Sequence, residues 1–280
     1  MAEDRAPHTA FVLGGGGHNG AYEVGMLRAL LERGVRPDLV VGTSVGALNG
    51  AAVAADPSLE MVARLREAWV SLNQQSVFGG SILAGAAHFV RSRTHMHSNA
   101  GLRRLIDTLL PARTFDELAV PFQCVAASIE RAEERWFDSG PLADAILASA
   151  AIPGVLPPVR IGDQHYIDGG VVNSIPVSRA VDLGAREIWV LHVGRIDAPL
   201  TAPRTPLQVA LVTFEIARRH RFARDLGSLP EGVVAHVLPT GEPKRPSLKQ
   251  LNYRDFKAVS RRIERAYGEA CKYLDRVLGD

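Results

Sequence analysis

Ser44 is the residue best placed to do chemistry in this chain. It sits in Gly42-Thr43-Ser44-Val45-Gly46, a match to G-x-S-x-G, with the apolar run Leu39-Val40-Val41 before it and the small-residue stretch 47–55 after it. Random placement of the chain's 26 glycines and its serines predicts roughly 0.13 such matches before those flanks are required, so accident is a poor explanation. The physics of the motif is steric. A sharp strand-to-helix turn strains the serine backbone and projects its Oγ outward, and glycines two residues before and two after let neighbouring chain pass close. The chemistry is nucleophilic attack, with the N–H groups and positive dipole end of the following helix beside any negative charge that forms. The competing reading is a serine N-cap on a tight turn.

A second candidate is the loop Gly14-Gly15-Gly16-Gly17-His18-Asn19-Gly20, again between a strand and a helix. Bare backbone donors on consecutive glycines converge on an anion. Two anions fit. One is a dinucleotide phosphate, because Gly15, Gly17 and Gly20 match G-x-G-x-x-G; the other is the oxyanion of an acyl-transfer intermediate, held by the amides of Gly15, Gly16 and Gly17 with the Val45 N–H as a further donor. Dinucleotide binding wants an acid at the end of the second strand, whereas here Asp38 precedes that strand and its end carries the Ser44 turn. That substitution favours the oxyanion.

A serine nucleophile needs a base. The usual order of Ser, acid, His would have to use His192, His220 or His236, and none has a suitable context: the first lies in an apolar run, the second in Arg-Arg-His-Arg, the third in an ordinary strand. Asp168 in Tyr166-Ile167-Asp168-Gly169-Gly170 is the better candidate, a carboxylate at a strand end followed by two flexible glycines, although Asp-Gly-Gly is also a common turn. His95 and His97 lack further ligand spacing, so no metal is expected.

These residues must be positioned by strands and helices in alternation. Strands are predicted over 9–13, 39–41, 122–128, 165–168, 187–193 and 233–238. Helices are predicted over 21–32, 47–55, 61–73, 102–110, 142–150, 207–225 and 256–278. The interleaving implies a three-layer α/β/α fold with a mostly parallel central sheet. Proline-rich 198–206 and 240–246 read as surface connections that do not divide the chain, so its 280 residues are expected to form one domain. With 46% hydrophobic and 22% charged residues, a largely disordered chain is excluded. The net charge of +2 gives no reason to expect a nucleic-acid partner. Two cysteines, Cys124 and Cys271, exclude a disulfide framework and fit a reducing compartment. An acidic N-terminus unlike a signal peptide, and apolar runs broken by Gly, Ser, Asn or Gln, predict a cytoplasmic chain without a membrane span.

In combination and order, the glycine-rich loop at 14–20, the Ser44 turn at 42–46 and Asp168-Gly169-Gly170 resemble the patatin-like phospholipase family. The stretches 137–142 and 148–159 are similar to that family as well, and the likeness runs over 9–193 and fades across 194–280. The resemblance implies a Ser-Asp dyad without histidine, in which Asp168 accepts the Ser44 proton, and an oxyanion hole in the first loop. Gly42, Gly46, Gly20, Gly169 and Gly170 are the supporting motif positions. Asn19 departs from the pattern, since most members carry Arg or Lys there. The implied activity is hydrolysis of a phospholipid or fatty-acyl ester by a serine esterase that needs neither metal nor organic cofactor. The same acyl-enzyme would serve a thioesterase or acyltransferase. The other classes are a dinucleotide-binding protein and a non-catalytic lipid-binding module.

Two segments outside the motifs have double readings. The stretch 211–225 sets Leu, Val, Phe and Ile beside Arg218, Arg219, Arg221 and Arg224, which fits either peripheral contact with anionic lipid or a surface helix packed by its apolar stripe. The apolar, glycine-broken stretch 77–90 fits either a flap over an acyl pocket or a buried core segment.

Overall fold

Apolar residues crowd the first strands because both of their faces are covered, as parallel sheets with helices on each side require. The computed structural model describes residues 8–71, 97–194, 196, 199–241 and 257–279, so the 77–90 segment and His95 lie outside the described residues. Strand β1 (Thr9–Leu13) lies between β2 (Leu39–Thr43) and β7 (Glu187–Leu191), parallel to both. Beyond β7 comes parallel β8 (Val234–Val237), and beyond β2 comes parallel β3 (Phe122–Ser128). Three antiparallel strands complete the eight-stranded sheet: β4 (Glu133–Phe137) and β6 (Gln164–Asp168) both pair β3, and β5 (Val159–Ile161) pairs β6.

The register along β3 brings the two halves of the sheet together. Cys124 and Val125 pair β2 and β4 at once, and Ala126 to Ser128 pair β4 and β6 at once. A strand has only two sides, so β2 and β6 lie end to end along the side opposite β4. Thr43, the last residue of β2, stands opposite Val125, and Asp168, the last residue of β6, stands opposite Ala126.

Side chains alternate between two cores. Phe11, Leu13 and Val40 enter one with α1 (Ala21–Glu32), α2 (Val45–Ala55), α3 (Leu59–Ser71), α4 (Ala100–Leu109), α5 (Leu142–Ser149) and α9 (Lys257–Leu278). Ala10, Val12, Leu39 and Val41 enter the other with α7 (Val177–Asp182) and α8 (Pro206–Gly227). The short helix α6 (Gly170–Asn173) follows β6 directly. This is the expected three-layer arrangement, with the parallel strands at its centre and the antiparallel ones to one side. The sequence pattern does not predict β4, β5, α6 or α7. Glu133, Glu134 and Arg135 give β4 no apolar signal, and only Phe137 of that strand is buried; the others span six residues or fewer, too short for periodicity to register.

Helix α9, from the divergent end of the chain, packs on α1. Val259, Ile263, Ala266, Ala270 and Leu274 recur at three- and four-residue spacing and are all buried. Gly25 permits the close approach: a Cβ there would stand 2.2 Å from Ile263 O and 2.8 Å from Tyr267 N. At the rim, Arg33 pairs with Asp275 and Tyr267 donates to Glu32 at 2.7 Å, contacts that orient more than they stabilise. Because the obstacle to a side chain at 25 is backbone, Gly25→Ala is expected to destabilise the protein by about 1–3 kcal/mol. Urea unfolding followed by circular dichroism measures this, and an unchanged midpoint would contradict the close helix contact.

Candidate active site

Ser44 joins β2 to α2 with φ 56° and ψ −120°, a conformation that side-chain-bearing residues rarely adopt. Such backbone costs of order 1–3 kcal/mol and persists only where its surroundings enforce it. Here the enforcement is close packing of main chain. A Cβ at Gly46 would meet Leu13 O at 2.3 Å, and one at Gly42 would meet Gly46 O at 2.5 Å. The turn's polar groups are also engaged: Ser44 N–H donates to Ser149 Oγ at 2.9 Å, and Ser44 O accepts from Ala47 N–H at 2.9 Å.

The end-to-end placement of β2 and β6 delivers Asp168 to this turn. Ser44 Oγ donates to Asp168 Oδ2 at 2.6 Å, while Asp168 Oδ1 accepts the Gly170 N–H at 2.7 Å. Asp168 N–H donates to Ala151 O at 3.0 Å and Gly169 N–H to Ser149 O at 3.1 Å, so the end of α5 and the turn after it anchor the backbone that carries the carboxylate. Gly169 lets that strand end lie against β3, since a Cβ there would stand 2.1 Å from Val125 O. Both side chains are shielded, Ser44 4% and Asp168 5% exposed. Burial pushes the Asp168 carboxyl up to about 6, and the hydrogen bonds from Ser44 and Gly170 hold it from rising further. A carboxylate of that basicity is ionised at neutral pH and able to take a proton from a hydroxyl that attacks.

The glycine-rich loop reaches the same point from β1. Gly14 N–H donates to Leu191 O at 2.9 Å. At Gly15 a Cβ would lie 3.4 Å from Ser44 Cβ and 3.3 Å from Ser174 Oγ, so bare backbone abuts the serine. The three amides singled out by the sequence are not equivalent. Gly15 N–H is committed to Ser174 O at 2.8 Å, whereas the amides of Gly16 and Gly17 meet no protein acceptor among the described residues. The chain then turns through a single 3-10 turn, Gly17–Gly20, which Asn19 closes by donating its N–H to Gly16 O at 3.2 Å. Gly20 packs under Val45 and the Trp69 ring.

Other candidates lie elsewhere. His236 stacks on Trp189 with ring centroids 4.2 Å apart and faces Glu187 at 3.8 Å, toward the start of β7. His220 is exposed on α8, and His192 is buried where β7 ends. Among the described residues no three His, Cys, Asp or Glu side chains are grouped to hold a metal, and no helix is long and apolar enough to cross a membrane. Helix α8 lies against the site, Phe214 Cζ standing 3.1 Å from where a Cβ at Gly170 would be, and Arg221 donating to Val172 O at 3.0 Å. Its arginines meet carboxylates: Arg218 and Arg219 share Glu215, Arg221 holds Glu134 and Asp225, and Arg224 holds Asp225. Its apolar residues divide, Phe222 being buried in the second core while Val209, Phe214 and Ile216 are exposed.

Sequence reasoning attached no role to Ser149 or Ser174. Their only signal was proximity to the motifs, Ser149 in the 148–159 stretch and Ser174 four residues after Gly170. It also passed over Glu23, a fully buried carboxyl in the first turn of α1.

A family model described as patatin-like phospholipase matches residues 11–181. Over 188 residues the chain is 35% identical to a patatin-like phospholipase domain-containing protein of Caenorhabditis elegans, a match that covers 66% of this chain and 14% of that protein. A lysophospholipase of Mycosarcoma maydis is 31% identical over 197 residues, 69% of this chain and 10% of its own length. The chain therefore spans a small part of the curated relatives it matches. Among solved structures, VipD from Legionella pneumophila aligns over 97% of this chain and 67% of its own, with 14% identity and a TM-score of 0.49. The family match spans both the Ser44 turn and the strand that ends in Asp168, and the chain belongs to the patatin-like phospholipase family.

Proposed function

We propose that residues 1–280 act as one serine acyl hydrolase on a lipid or fatty-acyl ester, with Ser44 as nucleophile and Asp168 as its base. The observation that carries this reading is the 2.6 Å hydrogen bond from Ser44 Oγ to Asp168 Oδ2 at a strained turn. Membership of a family named for phospholipases, and a relative named as a lysophospholipase, support an acyl lipid as substrate. The packing of α9 on α1 supports one unit that includes the divergent end.

In the first half-reaction Ser44 Oγ attacks the ester carbonyl as its proton passes to Asp168. The carbonyl oxygen takes the negative charge, and the Gly16 and Gly17 amides, which meet no protein acceptor among the described residues, supply hydrogen bonds to it. Collapse of the intermediate expels the alcohol, which takes the proton from Asp168 and leaves Ser44 acylated. Water then attacks the acyl-enzyme while Asp168 accepts its proton, and that proton returns to Ser44 as the fatty acid departs.

Ser44→Ala is expected to abolish ester hydrolysis and covalent labelling by a fluorophosphonate, and Asp168→Asn to lower kcat by at least about 100-fold with the fold retained. Intact mass and peptide mapping locate the adduct; wild-type turnover in either variant would refute the dyad. With the Asp168 carboxyl raised to about 6, kcat/KM should fall close to tenfold per pH unit below that value, because the base is protonated there, and level off above it. A profile that stays flat down to pH 4.5 would remove Asp168 from the proton transfer.

A further inference from the structure

Both functional turns run directly into helices, the glycine-rich loop into α1 and the Ser44 turn into α2, and one buried polar chain connects those helices near their starts. Glu23, the third residue of α1, is 0% exposed, and its Oε2 accepts a hydrogen bond from Asn49 Nδ2 at 2.7 Å. Asn49 is the fifth residue of α2 and is likewise 0% exposed. The same Nδ2 donates to Gly20 O at 3.0 Å, where the loop ends, and Asn49 Oδ1 accepts from Trp69 Nε1 of α3 at 3.1 Å. The Gly14 backbone, where the loop begins, also lies beside the Glu23 carboxyl and favours its charged form. Among the described residues Glu23 Oε1 is buried with no hydrogen-bond partner.

An apolar residue would fill this space without leaving a carboxyl oxygen unpaired. Burying a polar group of this kind costs about 1–3 kcal/mol, so the arrangement is a poor device for stability alone. What it does provide is register. The segment from Gly14 to Gly20 is touched at both ends by a network whose other member belongs to the helix that starts at Ser44. We propose that Glu23 is a positioning residue for acyl transfer: with Asn49 it locks the glycine-rich loop to the Ser44 turn and so sets where the Gly16 and Gly17 amides stand relative to the nucleophile. The proposal rests on the reading of Ser44 as nucleophile given above. Burial pushes the Glu23 carboxyl well above the usual carboxylate range, against the opposing effects of Asn49 and the Gly14 backbone, so the group is held toward its neutral form and places little negative charge behind the amides that must attract an oxyanion.

The test uses the full chain and two readouts, steady-state ester hydrolysis and the rate of inactivation by a fluorophosphonate, whose phosphonyl oxygen needs the same amides. Glu23→Ala is expected to lower kcat by about 10–100-fold, the scale of a misplacement near 1 Å, with KM changed less than about twofold, and to slow inactivation in parallel. Glu23→Gln, which keeps the acceptor for Asn49 and stays neutral, should recover most of that loss. Asn49→Ser, which is too short to reach Glu23, should reproduce the kcat defect and serves in place of Glu23→Ala if that variant does not fold. Wild-type kcat in a folded Glu23→Ala or Asn49→Ser variant overturns the proposal, as does a Glu23→Gln variant no better than Glu23→Ala. A folded wild type that takes no label at Ser44 overturns the underlying reading and the positioning role with it.

Discussion

Strand β3 carries two different partners along one side, and the candidate site exists because of it. Its first half hydrogen-bonds parallel β2 and its second half antiparallel β6, so two strands that never pair with each other finish head to head. Ser44 leaves one and Asp168 ends the other. A β-ladder fixes register to within a residue, since a slip by one would turn every side chain to the opposite face. The geometry of the serine and the carboxylate is thereby set by main-chain hydrogen bonds, which tolerate side-chain variation better than a loop contact would. The antiparallel strands at this side of an otherwise parallel sheet are what allow a strand end to arrive from the opposite direction.

Burial then gives the pair its chemical character. A carboxylate exposed to water would be a weak base for a hydroxyl, whereas Asp168, closed in by β3, α5 and the turn that follows it, is more basic while keeping one oxygen for the Gly170 amide and the other for Ser44. The Gly170 bond matters because an unpaired buried oxygen would drive the carboxyl toward its neutral form. Glu23, fully buried nearby, is likewise raised by desolvation. Burial is the largest influence on both acids, and two hydrogen-bonding groups oppose it in each case, Ser44 and Gly170 at Asp168, Asn49 and the Gly14 backbone at Glu23.

Much of this was legible in the residues. Ser44, Asp168 and the glycine loop announce themselves because strained turns and close backbone approach admit few residue types. The parallel strands are visible as unbroken apolar runs for the related reason that both their faces are covered. What the sequence hides is adjacency. Alternation along β3 reports which face is buried but not that β2 and β6 share one side of it. The commitment of the Gly15 amide depends on the carbonyl of Ser174, far along the chain, and nothing local to Gly15 records that. Charged β4 escaped for another reason, because an exposed strand lacks the apolar signal on which such reading relies. Of the α8 arginines, Arg221 also meets Glu134, from a strand the pattern does not show, whereas the carboxylates of Glu215 and Asp225 lie on the helix itself.

The 124-residue separation of Ser44 from Asp168 also sets when the two side chains can meet during synthesis. Loops that long close late, after local helices and hairpins have formed, and the β6 contact cannot precede the docking of β3. Until that moment Ser44 lacks its carboxylate partner. The contact between Ser44 and Asp168 is therefore completed only after most of the sheet has assembled.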